Sequence, residues 1–225
     1  MQWQQFWDKQ AASKERQQQV GRTTREGEQP DLGVIAEHIC QLLDLQSDDT
    51  LLDVCCGNGD LTVLLASRVS KAWGIDISAG QITRARERYP QHHWQQSPAD
   101  QLPAGLLFDK INLYFSFQYF TTDTAASAVL SALKSSLKPG GKILLGDIPD
   151  ARFWWSYYKS PRARLRWLWH KIKGTEDMGR FWHRRQLDRL ASKAGLTTYC
   201  LDEPAHLPFA WYRFDAVLIH TPNAV

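Results

Sequence analysis

The sequence predicts an α/β protein in which a parallel sheet carries helices on both faces. Two observations point there. From Leu51 onward, short apolar runs of strand character alternate with segments whose apolar residues recur at helical spacing. The first of these runs, Leu51-Leu52-Asp53-Val54, leads through Cys55-Cys56 into a tight Gly57-Asn58-Gly59 turn, after which a helical pattern resumes. Glycine has no side chain to hold a ligand off and tolerates positive φ, so such a turn lets the backbone approach a nucleotide-like molecule. A second short run, Trp73-Gly74-Ile75-Asp76, also ends in a carboxylate, which at the tip of a second strand accepts both hydroxyls of a ribose.

Each element has its own signal. The first thirty residues are rich in Gln and charge, with Trp3, Phe6, Trp7 and Val20 as scattered anchors, and read as a short amphipathic helix followed by a mobile link ending near Gly27. Asp31 suits the N-cap of a helix carrying Leu32, Ile35, Ile39, Leu42 and Leu43, with Ser47-Asp48-Asp49 closing it. Strand 51–54, helix 59–69, strand 72–76, helix 78–88, strands 92–95 and 110–115, helix 122–137 and strand 141–147 follow. Near the end, 184–194 reads as a helix stopped by Gly195, and 197–201 and 214–220 read as strands. Residues 1–30 are therefore expected to form a helical cap and link, and 31–225 one domain.

Between strand 141–147 and the last helix lies an aromatic and basic insertion at about 151–182. Its stretch 152–173 contains no Asp or Glu. Trp154, Trp155, Tyr157, Tyr158, Trp167 and Trp169 stand beside Arg162, Arg164, Arg166, Lys171 and Lys173. The block suits an anionic membrane surface, a lid on a pocket, or a helical hairpin that buries its aromatic side and solvates its Arg side. A nucleic-acid partner is not expected, because the block stands without a binding module and the formal net charge of the 225 residues is only +3.

The four cysteines, Cys40, Cys55, Cys56 and Cys200, show neither C-x-x-C spacing nor a disulfide framework, and no metal site is expected. Cys55 and Cys56 read as small side chains in a close-approach loop. The opening residues lack a basic segment followed by an apolar core, and no apolar stretch is long enough to cross a bilayer, so a soluble, cytoplasmic protein is expected.

The Gly57-Asn58-Gly59 turn lacks the third glycine of a dinucleotide fingerprint, since Asp60, Leu61 and Thr62 follow. It resembles instead the first motif of the class I S-adenosylmethionine-dependent methyltransferases of small-molecule type. The likeness extends to Gln96-Ser97-Pro98-Ala99-Asp100-Gln101-Leu102-Pro103, Phe108-Asp109-Lys110-Ile111-Asn112-Leu113, Leu137-Lys138-Pro139-Gly140-Gly141, Ala194-Gly195-Leu196 and the segment from Tyr212 to Leu218, and covers roughly residues 30–220. This resemblance implies a Rossmann-like, seven-stranded, mostly parallel sheet ending in an antiparallel hairpin, with S-adenosyl-L-methionine as cofactor. It further implies that Asp53, Gly57, Asn58 and Gly59 meet the methionine part of the cofactor, that Asp76 holds the ribose, and that Ile77, Ala99 and Asp100 meet the adenine. Ser116 follows the fourth strand in the same pocket. The family often has Asp-Ala at the adenine edge where this chain has Pro98-Ala99, so Asp100 is the residue expected to take over that contact. Arg22, in the link, is placed to clamp a carboxylate.

Methyl transfer from a sulfonium is an in-line displacement, and alignment of acceptor and methyl supplies much of the acceleration. An enol or phenol needs little further help, whereas an alcohol needs a base. Candidate groups are Asp147, His183, Tyr119 and Gln118; for His183 a helix-start role, and for Tyr119 a core role, stand beside the catalytic one. The expected acceptor is a small or lipid-like molecule. An RNA or protein methyltransferase is disfavoured because Ser116-Phe117-Gln118-Tyr119 replaces an Asn/Asp-Pro-Pro-Tyr-like motif. A non-catalytic cofactor-binding protein that uses the aromatic block to hold a membrane or partner is the alternative from another class.

Overall fold

The computed structural model describes residues 3–11, 30–173 and 178–220. Its centre is β1 (Thr50–Val54), which pairs in parallel with β2 (Lys71–Asp76) on one side and β4 (Phe108–Tyr114) on the other. With β3 (His93–Gln96), β5 (Leu137–Pro149), β6 (Leu196–Asp202) and β7 (Arg213–His220), the strands form one seven-stranded sheet in the order β3-β2-β1-β4-β5-β7-β6. β7 runs antiparallel to both β5 and β6. The order reverses at β1, so β1 and β4 diverge into connections on opposite sides and leave a crevice at their carboxyl ends.

Period-two alternation sends successive residues of each strand to opposite faces. Leu52, Val54, Ile111, Leu113, Ile143 and Leu145 share a core with α5 (Asp123–Ser135) and α8 (Arg184–Lys193). Leu51, Ala72 and Leu144 pack on the other face with α2 (Leu32–Leu43) and with Leu65 of α3 (Asp60–Ala66). Ile35, Ile39 and Leu43 of α2 are fully buried there, and truncating any one to Ala is worth about 2–5 kcal/mol. Asp31 caps α2 by accepting from the Gly33 and Val34 amides. The helix stops at Leu43, with Asp44 left-handed at φ 54°, rather than at Ser47-Asp48-Asp49, because the amides of 44 and 45 close back on the last turn.

Most element boundaries fall within a few residues of expectation; β5 departs further. It begins at Leu137 and ends at Pro149, because the Pro139-Gly140-Gly141 turn is absorbed as a bulge: Phe108 faces Leu137, whereas Lys110 already faces Lys142. A second irregularity lies between Leu145 and Ile148, where Asp147 sits at φ 57°. The N-terminal helix α1 (Trp3–Ala11) packs beside α4 (Ala79–Arg88), and the aromatic insertion folds as α6 (Trp154–Tyr157) and α7 (Pro161–Ile172) between β5 and α8. Among the described residues, no helix is long and apolar enough to cross a membrane.

Candidate active site

The crevice holds a cavity of about 280 Å³, near the lower end of the range for small-molecule sites. The loop after β1 forms one wall. Gly57 is left-handed at φ 56°, and a Cβ there would meet nothing within 4 Å; its amide donates to Asp76 Oδ2 at 2.9 Å. Gly59, at φ 83°, is needed for a second reason: a Cβ would lie 2.5 Å from the Trp94 ring, which also occupies the space beside Gly74. Trp94 is fixed in turn by its indole N–H, which donates to the Tyr89 carbonyl at 2.8 Å.

Three buried acids line this wall; Asp60 pairs with Arg88 at 2.6 Å, and the other two are Asp53 and Asp76. Asp53 stands in register with Asn112 of β4, whose amide donates to Oδ1 at 2.8 Å, while the Thr62 hydroxyl from α3 donates to Oδ2. Burial dominates these hydrogen bonds and pushes the Asp53 carboxyl up from 3.8 to about 6, with a further contribution from the Asp76 charge. Burial likewise raises Asp76, opposed by the amides of Ser78 (2.8 Å to Oδ1) and Gly57. Among the described residues neither carboxylate forms an ion pair. The thiols of Cys55 and Cys56 are held protonated by burial and by the same two carboxylates, in keeping with their reading as small packing groups.

Opposite this wall the lining is aromatic. Trp3 and Trp7 of α1, one helical turn apart, lie against Tyr119 with ring centroids at 4.4 and 5.6 Å, and Phe115, Phe120 and Phe209 continue the surface. Asp8 pins α1 over the cavity by accepting from the Ser78 hydroxyl at 2.5 Å.

Of the residues singled out from the sequence, Asp53, Gly57, Asn58, Asp76, Ile77, Ala99, Asp100, Ser116 and Tyr119 line this cavity. The Asn58 side chain is turned to Asp60 at 2.9 Å. Gly59 lies behind the wall and shapes it. Two base candidates are placed elsewhere. Asp147 is buried and bound by Arg213, whose guanidinium donates to both its carboxylate and its carbonyl, because the β5 bulge turns it toward β7. His183 is the exposed residue that starts α8, away from the lining. Gln118 is buried with its amide on the Phe115 carbonyl at 2.5 Å. Arg22 lies outside the described residues. Sequence reasoning missed Trp3, Trp7 and Asp8 as site components; the i, i+4 tryptophan pair was their visible signal. It also missed Gln81, Tyr114, Phe115 and Phe209, for which apolar pattern alone gives no address.

An acceptor-rich wall in which Asp53 and Asp76 carry no ion pair among the described residues, beside a glycine turn with no side chain at Gly57 to hold a ligand off, fits a ligand that brings an ammonium group and a pair of hydroxyls, as S-adenosylmethionine does. The fold and this crevice together define a Rossmann-like α/β class with its ligand site at the carboxyl ends of the strands. The profile of the methyltransferase-domain family matches residues 28–201, so the chain belongs to that family. It is 36% identical over 112 residues to a 2-phytyl-1,4-naphtoquinone methyltransferase of Thermosynechococcus vestitus, covering 47% of this chain and 48% of that protein. It is 32% identical over 113 residues to an uncharacterized methyltransferase of Synechocystis sp., covering 50% and 53%. The chain thus spans about half the length of these curated relatives. Among solved structures, DesVI of Streptomyces venezuelae shares the fold with a TM-score of 0.67 at 16% identity, over 85% of this chain and 92% of that one. S-adenosylmethionine-bound CalS10, an amino pentose methyltransferase from Micromonospora echinaspora, aligns with a TM-score of 0.61 at 16% identity, over 89% and 93%.

Proposed function

We propose that this chain binds S-adenosylmethionine across the carboxyl ends of β1 and β2 and transfers its methyl group to a small or lipid-like molecule seated on the aromatic wall. The observation that carries this reading is the pair of buried carboxylates, Asp53 and Asp76, facing the cavity without a cationic partner among the described residues. Asp53 is assigned to the ammonium end and Asp76 to the ribose, with Ile77, Ala99 and Asp100 along the adenine and Ser116 beside the methionine part. The bound cofactor supplies an electrophilic methyl on a sulfonium. The chain's own contribution is to exclude water with Trp3, Trp7 and Phe209 and to orient the acceptor against Tyr119 and Phe115, the alignment that replaces an entropic cost.

Tyr119 is the lining group assigned to steer the acceptor. Neither Asp147 nor His183 is retained as a base, which favours acceptors whose reacting atom is already nucleophilic. The naphthoquinone methyltransferase relative and the aromatic wall both support a ring-bearing or prenyl-like acceptor. The division into a helical cap over residues 1–30 and a catalytic domain over 31–225, with its insertion at about 151–182, belongs to the same reading.

Calorimetric titration with S-adenosylmethionine, with NAD as control, tests it together with Asp76→Ala. Micromolar binding by wild type and a loss of at least about 100-fold in the variant are expected, since the amides of Gly57 and Ser78 and the ligand lose their acceptor. Equal binding by both proteins would remove Asp76 from the site, and no binding by wild type would overturn the reading.

A further inference from the structure

The helix α7 carries a surface that the methyl-transfer reading does not use. Its residues Leu165, Leu168, Trp169 and Ile172 are 67%, 46%, 57% and 74% exposed, and Trp155 of α6 is 63% exposed. The four follow the spacing i, i+3, i+4, i+7, so at about 100° per residue they fall within an arc of about 100°. Such a stripe ordinarily turns to a core; here it turns outward. Soluble proteins rarely leave a contiguous apolar strip of this kind to water.

The charges around it are ordered rather than scattered. On the same helical wheel Arg162, Arg166 and Lys173 border one side of the stripe, and Arg164 and Lys171 border the other. None of these five forms an ion pair among the described residues, and no acid occurs from 151 to 173. The face opposite the stripe belongs to Trp167, which packs inward with its ring 5.2 Å from Trp154 and 5.9 Å from Tyr158. Arg164 lies over the exposed Trp155 ring at 4.1 Å and Lys173 over Trp169 at 4.2 Å. These are long cationic stems alongside amphipathic rings, the arrangement in which the cation reaches past apolar surface to a charged plane.

We infer that α7, with Trp155, docks the protein in the plane of an anionic phospholipid surface, its Leu165-Leu168-Trp169-Ile172 stripe entering the acyl boundary and its flanking Arg and Lys residues meeting lipid phosphates. Apolar stripe and cationic borders fit an interface that is apolar below and negative above. A second copy of this chain would set two such cationic borders against each other. Nucleic acid would leave the Leu and Ile side chains in water, and a protein interface core is depleted in Lys. The inner side of the insertion also connects the docked surface to the cavity: Tyr157 and Phe181 pack in one aromatic cluster with Phe115 and Phe209, which line it.

The test is flotation of the full chain with vesicles of phosphatidylcholine alone and of equimolar phosphatidylcholine and phosphatidylglycerol, at low and at high salt. Wild type is expected to float with the anionic vesicles only, less so at high salt, with a blue shift of tryptophan emission. Leu165→Ser with Trp169→Ser is expected to lower partitioning at least tenfold. Arg162→Glu with Arg166→Glu is expected to lower it roughly fivefold or more for each residue. The variants change exposed residues away from the cavity, so their S-adenosylmethionine titrations should match wild type; this readout separates a failure of docking from a failure of the methyl-transfer reading. Absence of wild-type binding to anionic vesicles would overturn the inference. So would undiminished binding by both variants, or a wild-type dimer in light scattering that the double serine variant abolishes while no vesicle is bound.

Discussion

Asp53→Asn should make the protein more stable and a poorer binder of its cofactor. In the wild type the Asp53 carboxyl is 3% exposed, and burial lifts it from 3.8 to about 6. A folded-state value above the unfolded one means that the ionised group opposes folding at neutral pH. A rise of roughly two units corresponds to a penalty on the order of 3 kcal/mol. Asparagine removes the charge and keeps both contacts in principle: its carbonyl accepts from Asn112, and its amide donates to the Thr62 hydroxyl, which reverses its role. The sign with pH follows. As pH falls through about 6 toward 3.8, native wild type takes up a proton that the unfolded chain does not, so wild type gains relative stability and the advantage of the variant shrinks.

Urea unfolding of both proteins at pH 7.5 and 4.5 reads this directly. The expected result is a variant more stable at pH 7.5, by up to about 3 kcal/mol, with the gap closing at pH 4.5. Calorimetry at pH 7.5 should show S-adenosylmethionine affinity reduced at least about tenfold, because under the proposed assignment its ammonium end loses its countercharge. A variant less stable than wild type by the same amount at both pH values would refute the reasoning, since the Asp53 hydrogen bonds would then outweigh its desolvation.

Two further outcomes follow from the same geometry. Gly59→Ala sets a methyl 2.5 Å from a ring that is itself pinned, at a φ of 83°, and should cost about 1–3 kcal/mol in urea unfolding; Gly57→Ala, facing open space, should cost less in stability. Arg213→Met should cost about 3–5 kcal/mol in the same assay, because Asp147 is left without its buried cation near Asp215 and Glu203, the latter already raised by burial and by both neighbours.

The amino-acid sequence determined the order and type of nearly every element, because apolar periodicity and the glycine turns are local properties. Gly57-Asn58-Gly59 and Asp76 announced one wall of the cavity for the same reason: a tight turn at a strand end and a carboxylate at the next strand tip are set within a few residues. The sequence also marked 152–173 as aromatic, basic and free of acids. Tertiary structure decided what those residues face. Asp147 and His183 look equally available in a linear chain. Only the β5 bulge and Arg213, arriving from 66 residues away, show that Asp147 is already engaged. Trp3 and Trp7 belong to the site because Asp8 ties α1 to Ser78 across 70 residues of chain. Packing within the insertion turned Trp167 toward Trp154 and Tyr158 and left Leu165, Trp169 and Ile172 in solvent. Periodicity fixes which residues share a helix face, but the neighbours supplied by the rest of the fold decide whether that face is covered.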